Sequence, residues 1–146
     1  MKRGTIEHPK THQLKNILGI SHPQAVGHLE ALWHFTAKFS IQGDIGRWNN
    51  ESIARGCLWE EDAEEFIAAL VQCVWLDGDK NCRLIVHDWI DHADQSTKKT
   101  LNNKNLQFIK PEPADYFSKV NSQLVGNFPS NRKEKDGPPL PLPLPL

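Results

Sequence analysis

Seven histidines and eighteen carboxylates give this chain of 146 residues the raw material for a metal centre or an acid–base pair. Their densest grouping is the run His87-Asp88-Trp89-Ile90-Asp91-His92. Zinc takes imidazole and carboxylate together, but it needs ligands converging on one point. A spacing of five does not stack His87 and His92 on one helical face, and no further segment carries matching ligands. His8 and His12 stand four apart and meet the same objection. The plainer reading sends Trp89 and Ile90 into the domain and leaves the His and Asp groups to cap and solvate the last turn. Asp77-Gly78-Asp79-Lys80-Asn81 begins like a calcium loop, yet Cys82 stands where that loop requires glycine and the flanks read as strands. It is read as a hairpin turn. No metal and no cofactor are assigned.

Nothing assembles a nucleophile either. There is no Gly-rich phosphate loop, no G-x-S-x-G and no Cys–His pair. Cys57, Cys73 and Cys82 are odd in number and lack C-x-x-C spacing, which fits free thiols in a reducing compartment. Cys57 and Cys73 read as small apolar packing residues. No apolar run approaches the roughly 20 residues of a membrane span, and the basic start MKRGTIEHPK leads into no apolar segment. The expectation is a non-enzymatic, cytoplasmic protein with no membrane partner. There the sequon Asn50-Glu51-Ser52 is simply a helix start.

The elements come next. Pro9 suits the start of a helix over 11–18, with Leu14, Ile17 and Leu18 inward and Gly19 ending it. Ser21 and Gln24 have the spacing of a capping box for a longer helix reaching Phe39. Its stripe would bury Val26, Leu29, Leu32, Trp33, Thr36 and Phe39, with His28, Glu30, His34 and Lys38 on or beside the polar face. Gly27 on that helix suggests a close helix crossing. Residues 41–48 hold too many breakers for a helix, and Ile45 with Arg47-Trp48 suits a short strand beside a later hairpin.

The stretch 49–86 organises the rest. Asn49 or Asn50 caps a short helix over 51–57 whose inner face carries Ile53, Ala54 and Leu58. A second helix over 60–74 begins with Glu60, Glu61 and Asp62, where the helix dipole favours negative charge. Ala63, Phe66, Ile67, Leu70, Val71 and Val74 fall on one buried face of it. Trp75-Leu76-Asp77 and residues 83–86 then form the two strands of a hairpin.

Helix, turn, helix and β-hairpin in that order resemble the winged helix-turn-helix family, over roughly residues 11–92. The phrases SIARGCLW and IAALVQCVWLD carry the likeness. The run RLIVHDWIDHAD, followed by a polar tail, is similar to winged-helix domains near the N-terminus of phage and prophage replication proteins of the DnaD-like, replisome-organiser kind. The resemblance implies an α+β fold, mostly helical with a short β-wing. It also implies a role in DNA replication, binding origin DNA or joining replisome proteins. On that footing Lys10, Lys15, Arg47, Arg55, Lys80 and Arg83 would contact phosphate.

Charge complicates this assignment. The net charge is −1; residues 1–100 carry 11 basic against 14 acidic side chains, so any basic surface must be local. In this family the second helix of the motif enters the major groove. Here its outward positions include Glu60, Glu61, Glu64 and Glu65, which would repel phosphate. Either another face contacts nucleic acid, or the chain is a protein–protein adaptor that offers those four carboxylates to a basic partner.

Three segments are expected: a winged-helix domain over 1–92, a polar linker over 93–136 with a short helix within 115–125, and a Leu-Pro tail over 137–146. Repeated Leu-Pro fixes polyproline-II geometry and cannot enter a core, so the tail reads as disordered. It suits a proline-recognising groove or, more plainly, a linker of a longer two-domain protein.

Overall fold

A computed structural model describes residues 4–117. Among them are six α-helices and one antiparallel pair of strands, a mixed α+β architecture. In order these are α1 (Pro9–Leu18), α2 (His22–Phe39), α3 (Asn50–Gly56), α4 (Ala63–Gln72), β1 (Leu76–Asp79), β2 (Arg83–Val86), α5 (Trp89–His92) and α6 (Gln95–Asn103). One compact unit ends at Ala114 and a second begins at Asp115. Of the second, only 115–117 are described, where the Tyr116 and Phe117 rings meet edge to face at 5.5 Å. The tail and most of the expected helix within 115–125 lie outside the described residues. No described helix is long and apolar enough to cross a membrane.

Local chemistry sets the helix starts. The Ser21 hydroxyl accepts from the Gln24 N–H, Asn49 from Ser52, Asp62 from Glu65 and Asp94 from Thr97. Because Asp62 is the cap, Glu60 and Glu61 precede α4 instead of opening it. Three helix ends share, without glycine, the device that Gly19 supplies at the end of α1. After α3, α4 and α6 the residues Leu58, Val74 and Asn105 adopt left-handed backbone, and the next N–H reaches back to Ala54, Leu70 and Leu101 at 2.9 Å each.

That device overturns two expected burials. Leu58 and Val74 were to face inward, but the left-handed turn throws them out, leaving them 70% and 42% exposed. The flanking residues of each Cys-x-Trp triplet go in instead: Cys57 with Trp59, and Cys73 with Trp75, are all buried. Other inner faces shift for similar reasons. On α1 the buried face runs through Thr11 and Leu14, because the Thr11 hydroxyl donates to the Thr5 carbonyl at 2.6 Å; Ile17 stays exposed. On α2 Ala25 and His28 are buried, Val26 is only half-buried, and Phe39, at the last turn, is exposed. His28 lies off the polar face, with Nδ1 donating to the Cys57 carbonyl at 2.8 Å and its ring edge-on to Trp59 and Phe66. In α5 Trp89 packs inward and donates to the Ile41 carbonyl at 2.9 Å, while Ile90 on the single turn is exposed.

The core lies where α1–α4 meet the hairpin, around Leu14, Leu29, Leu32, Ile53, Phe66 and Leu70, all at most 1% exposed. α2 and α3 approach closely at Gly56, where a Cβ would fall 2.2 Å from the Phe35 ring. Gly27 has open space around it, so the close crossing sits on the other helix.

β1 and β2 pair antiparallel, Leu76 opposite Val86 through Asp79 opposite Arg83. The expected third strand at 45–48 is a 3-10 turn, Ile45–Arg47. Gly43 takes φ +100, and the Ile45 and Trp48 N–H groups close local bonds to Gly43 and Ile45. Donors spent locally cannot serve a ladder. Gly46 is pressed against β2, where a Cβ would sit 2.0 Å from the Cys82 carbonyl oxygen. The outer edge of β1 is covered from an unexpected direction. Lys80 N–H donates to the Glu112 carbonyl at 2.8 Å, and Asp79 bridges Pro113 in antiparallel sense. Residues 93–114, a polar linker by composition, thus contain α6, with Thr97 and Leu101 buried, and this edge segment.

Candidate nucleic-acid interface

The basic residues assigned from the sequence are scattered. Lys10, in the first turn of α1, sets its Nζ 4.4 Å from the Trp75 ring centroid, and Lys15 is half-buried in the last turn. Arg55 is exposed in the last turn of α3, and Lys80 is exposed at the hairpin tip. Arg83 turns inward. Its guanidinium donates to the Trp48 and Gly46 carbonyls and to Asn50 Oδ1, at 2.6, 3.1 and 2.7 Å, tying the 3-10 turn and α3 to the hairpin.

Arg47 has different neighbours. It lines an open groove of about 650 Å3 between the end of α2, the 3-10 turn and α6. Lys38 and Lys104 line the same groove, with Ser96, Thr97 and Thr100 adding hydroxyls. Asp94 is the carboxylate among the described lining residues. The Thr97 backbone N–H, then the Thr97 hydroxyl, hold its carboxyl below the usual carboxylate range, so it stays ionised. Three fixed cations therefore face one carboxylate already committed to a helix cap.

Aromatic rings brace this groove. Phe39, on its lining and 42% exposed, lies 5.2 Å from Phe35 and 5.9 Å from Trp48 between ring centroids. Phe35 and Trp48 meet edge-on at 6.1 Å, and the Trp48 indole N–H donates to Ser40 Oγ at 3.0 Å. Two of the three cations sit by rings: Lys38 Nζ lies 5.4 Å from Phe39, and Arg47 Cζ 5.5 Å from Trp48. Arg47 also donates to the Phe39 carbonyl.

Sequence reasoning missed Lys38, Lys104 and Phe39 as site residues. A signal was present in Lys38-Phe39 and Arg47-Trp48, two cation–aromatic neighbours flanking a breaker-rich loop. Lys104 had none, because only the packing of α6 brings it to the groove.

The acidic surface is well displayed. Glu60, Glu61, Glu64 and Glu65 are all exposed, and Glu64 accepts from Asn50 Nδ2 at 3.1 Å. The His and Asp run serves the fold: His87 Nδ1 meets Asp77 at 2.8 Å across the hairpin, and His92 stacks on Trp33 at 4.3 Å. Among the described residues no group of three or more His, Cys, Asp or Glu is placed to hold a metal ion. The three thiols are free. Burial pushes the Cys57 thiol far up; it also raises Cys73, which Lys10 opposes, and Cys82, where Asp79 and Asp44 add to it. Protonated thiols are poor nucleophiles. Comparison of the chain with protein-family models, with curated proteins and with solved structures gives no match.

Proposed function

We propose that this chain is a non-enzymatic nucleic-acid-binding module on a winged helix-turn-helix plan, resembling those of phage and prophage replication proteins. In this reading α3 and α4 are the helix-turn-helix pair and the β1–β2 hairpin is the wing. The module acts in replication initiation, in the cytoplasm, by contacting DNA or seating replisome proteins. The observation that carries the reading is the groove where Lys38, Arg47 and Lys104 face the single capped Asp94. In a protein of net charge −1, such a local excess is where phosphate would be held. The acidic leading end of α4 then faces away from the backbone instead of entering a major groove.

Fluorescence anisotropy of the full chain with short labelled DNA, at low and near-physiological salt, tests this. Three phosphate contacts give a log–log salt slope of about −2 for a single strand and about −2.7 for a duplex. Lys38→Ala with Lys104→Ala should flatten the slope to about one contact and weaken binding at low salt. An unchanged slope in that double variant would refute the assignment of the groove.

A specific observation favours a second reading, the adaptor. Leu58 is 70% exposed in a left-handed conformation, two residues before Glu60 and Glu61. An apolar knob beside four carboxylates suits a basic, partly apolar protein surface. Loss of partner binding in Leu58→Ser, with DNA binding absent in the parent chain, would favour it.

A further inference from the structure

Resting on the nucleic-acid reading above, we infer that the groove takes a single strand, with Phe39 as the plane on which an unpaired base stacks and Lys38, Arg47 and Lys104 holding the flanking phosphates. Phe39 follows the α2 stripe, yet it remains 42% exposed at the margin of a polar groove. An exposed Phe forfeits part of the stabilisation that burial would give, so its position is better explained by what it faces than by the core.

The ring is also held firmly. Phe35 and Trp48, which also meet each other, both contact it, and Trp48 is itself fixed by its bond to Ser40. A braced plane loses little freedom when a base covers it. Cations accompany the rings, Lys38 at Phe39 and Arg47 at Trp48. Stacking rings set among cations are the recurring device of single-strand binding, because every base has a π-face and every linkage a charge.

Shape separates single strand from duplex. A duplex buries its base faces in its own stack and is read by a convex element entering a groove about 12 Å wide. Here the cations line a concavity of about 650 Å3, within the range of ligand pockets. A bend of single strand fits such a space and exposes its bases; a duplex does neither. The exposed Ser96 hydroxyl on the α6 wall can meet sugar and phosphate oxygens.

The test compares four probes on the full chain by anisotropy at low salt: a labelled oligothymidylate, its abasic counterpart, a duplex of equal length, and a labelled polyglutamate of equal charge. The oligothymidylate should bind at least about tenfold more tightly than the other three. Phe39→Ala should weaken it by about 5- to 150-fold, the range for loss of one stacked base, and leave the abasic strand unchanged, while Phe39→Trp keeps the affinity. Should Phe39→Ala fail to fold, the ratio of oligothymidylate to abasic strand in the parent chain decides. Equal binding of single strand and duplex, or of polyglutamate and oligothymidylate, or an equal effect of Phe39→Ala on both strands, overturns the inference while nucleic-acid binding stands in the first and last cases. No binding of any nucleic acid overturns both readings.

Discussion

Gly46→Ala should be among the most damaging single changes in this protein. Its added Cβ would fall 2.0 Å from the Cys82 carbonyl oxygen and 2.4 Å from the Leu84 nitrogen, both backbone atoms of the hairpin. Relief to 3.0 Å requires a shift of about 1 Å between the 3-10 turn and β2, since neither atom can rotate away. That shift strains the Arg83 bonds to Gly46 and Trp48 and the Val86 N–H bond to Gly43. Overpacking costs about 1–3 kcal/mol, and one part-buried hydrogen bond lost without replacement adds about 1–3 kcal/mol. The sum is about 2–6 kcal/mol, a large share of the roughly 5–15 kcal/mol of a whole domain. Urea unfolding followed by tryptophan fluorescence reads it as a fall in the midpoint at unchanged slope. A loss below about 0.5 kcal/mol would refute the claim that Gly46 is fixed by contact with β2.

Gly27→Ala is the opposite case: the position is exposed and mid-helix with open space around it, so a gain of about 1 kcal/mol is expected in the same assay. Gly56→Ala should destabilise by about 1–3 kcal/mol, because the Phe35 ring 2.2 Å away must move, and Phe35→Leu should soften that penalty in a double-mutant cycle. Asp79 gives a pH dependence. Burial raises its carboxyl, but the N–H groups of Cys82, Glu112 and Asn81 together bring it below the ordinary value. Its contribution to stability is therefore complete above about pH 4 and fades as pH falls through the lowered folded value. Asp79→Asn should flatten that acid limb of the midpoint-against-pH curve; an unaltered limb would show that other carboxylates set it.

What could be read in advance was what local chemistry decides. Ser21 and Asn49 cap helices because their side chains reach N–H groups three residues on, whatever the rest of the chain does. A hairpin was legible from Gly78, Asp79 and Asn81, but its bounds were not: Gly78 and Asp79 pair with Leu84 and Arg83 inside β1, Trp75 precedes the strand, and the turn falls at 80–82. Breakers at 43–46 correctly excluded a helix of ordinary length, but strand or turn was decided by how closely Gly46 approaches β2, a distance no composition encodes. Leu58 and Val74 have helical spacing, so periodicity put them inward; the reversal that turns them out comes from the Cys and Trp on either side competing for the core. α6 hid because QSTKKTLNN offers only Thr97 and Leu101 as an inner face. The groove was the least legible feature, since Lys38 and Lys104 are brought together by two helices far apart in the chain.

The segment at 112–114 has a consequence for how the molecule keeps to itself. Glu112 N–H donates to Asp79 Oδ1 at 2.6 Å and Ala114 N–H to the Gly78 carbonyl at 3.3 Å, so the open side of the hairpin is occupied from within. Cut the chain before that segment and β1 presents bare backbone donors and acceptors beside a carboxylate that has lost a partner. A second copy with the same open margin satisfies both by antiparallel pairing, as free strand edges commonly do. Sedimentation of a fragment ending at residue 104 should therefore reveal concentration-dependent dimers that the full chain does not form. The last stretch of the described chain then acts as a built-in competitor for a strand-exchange reaction, and its strength sets how dilute the protein must be to stay single.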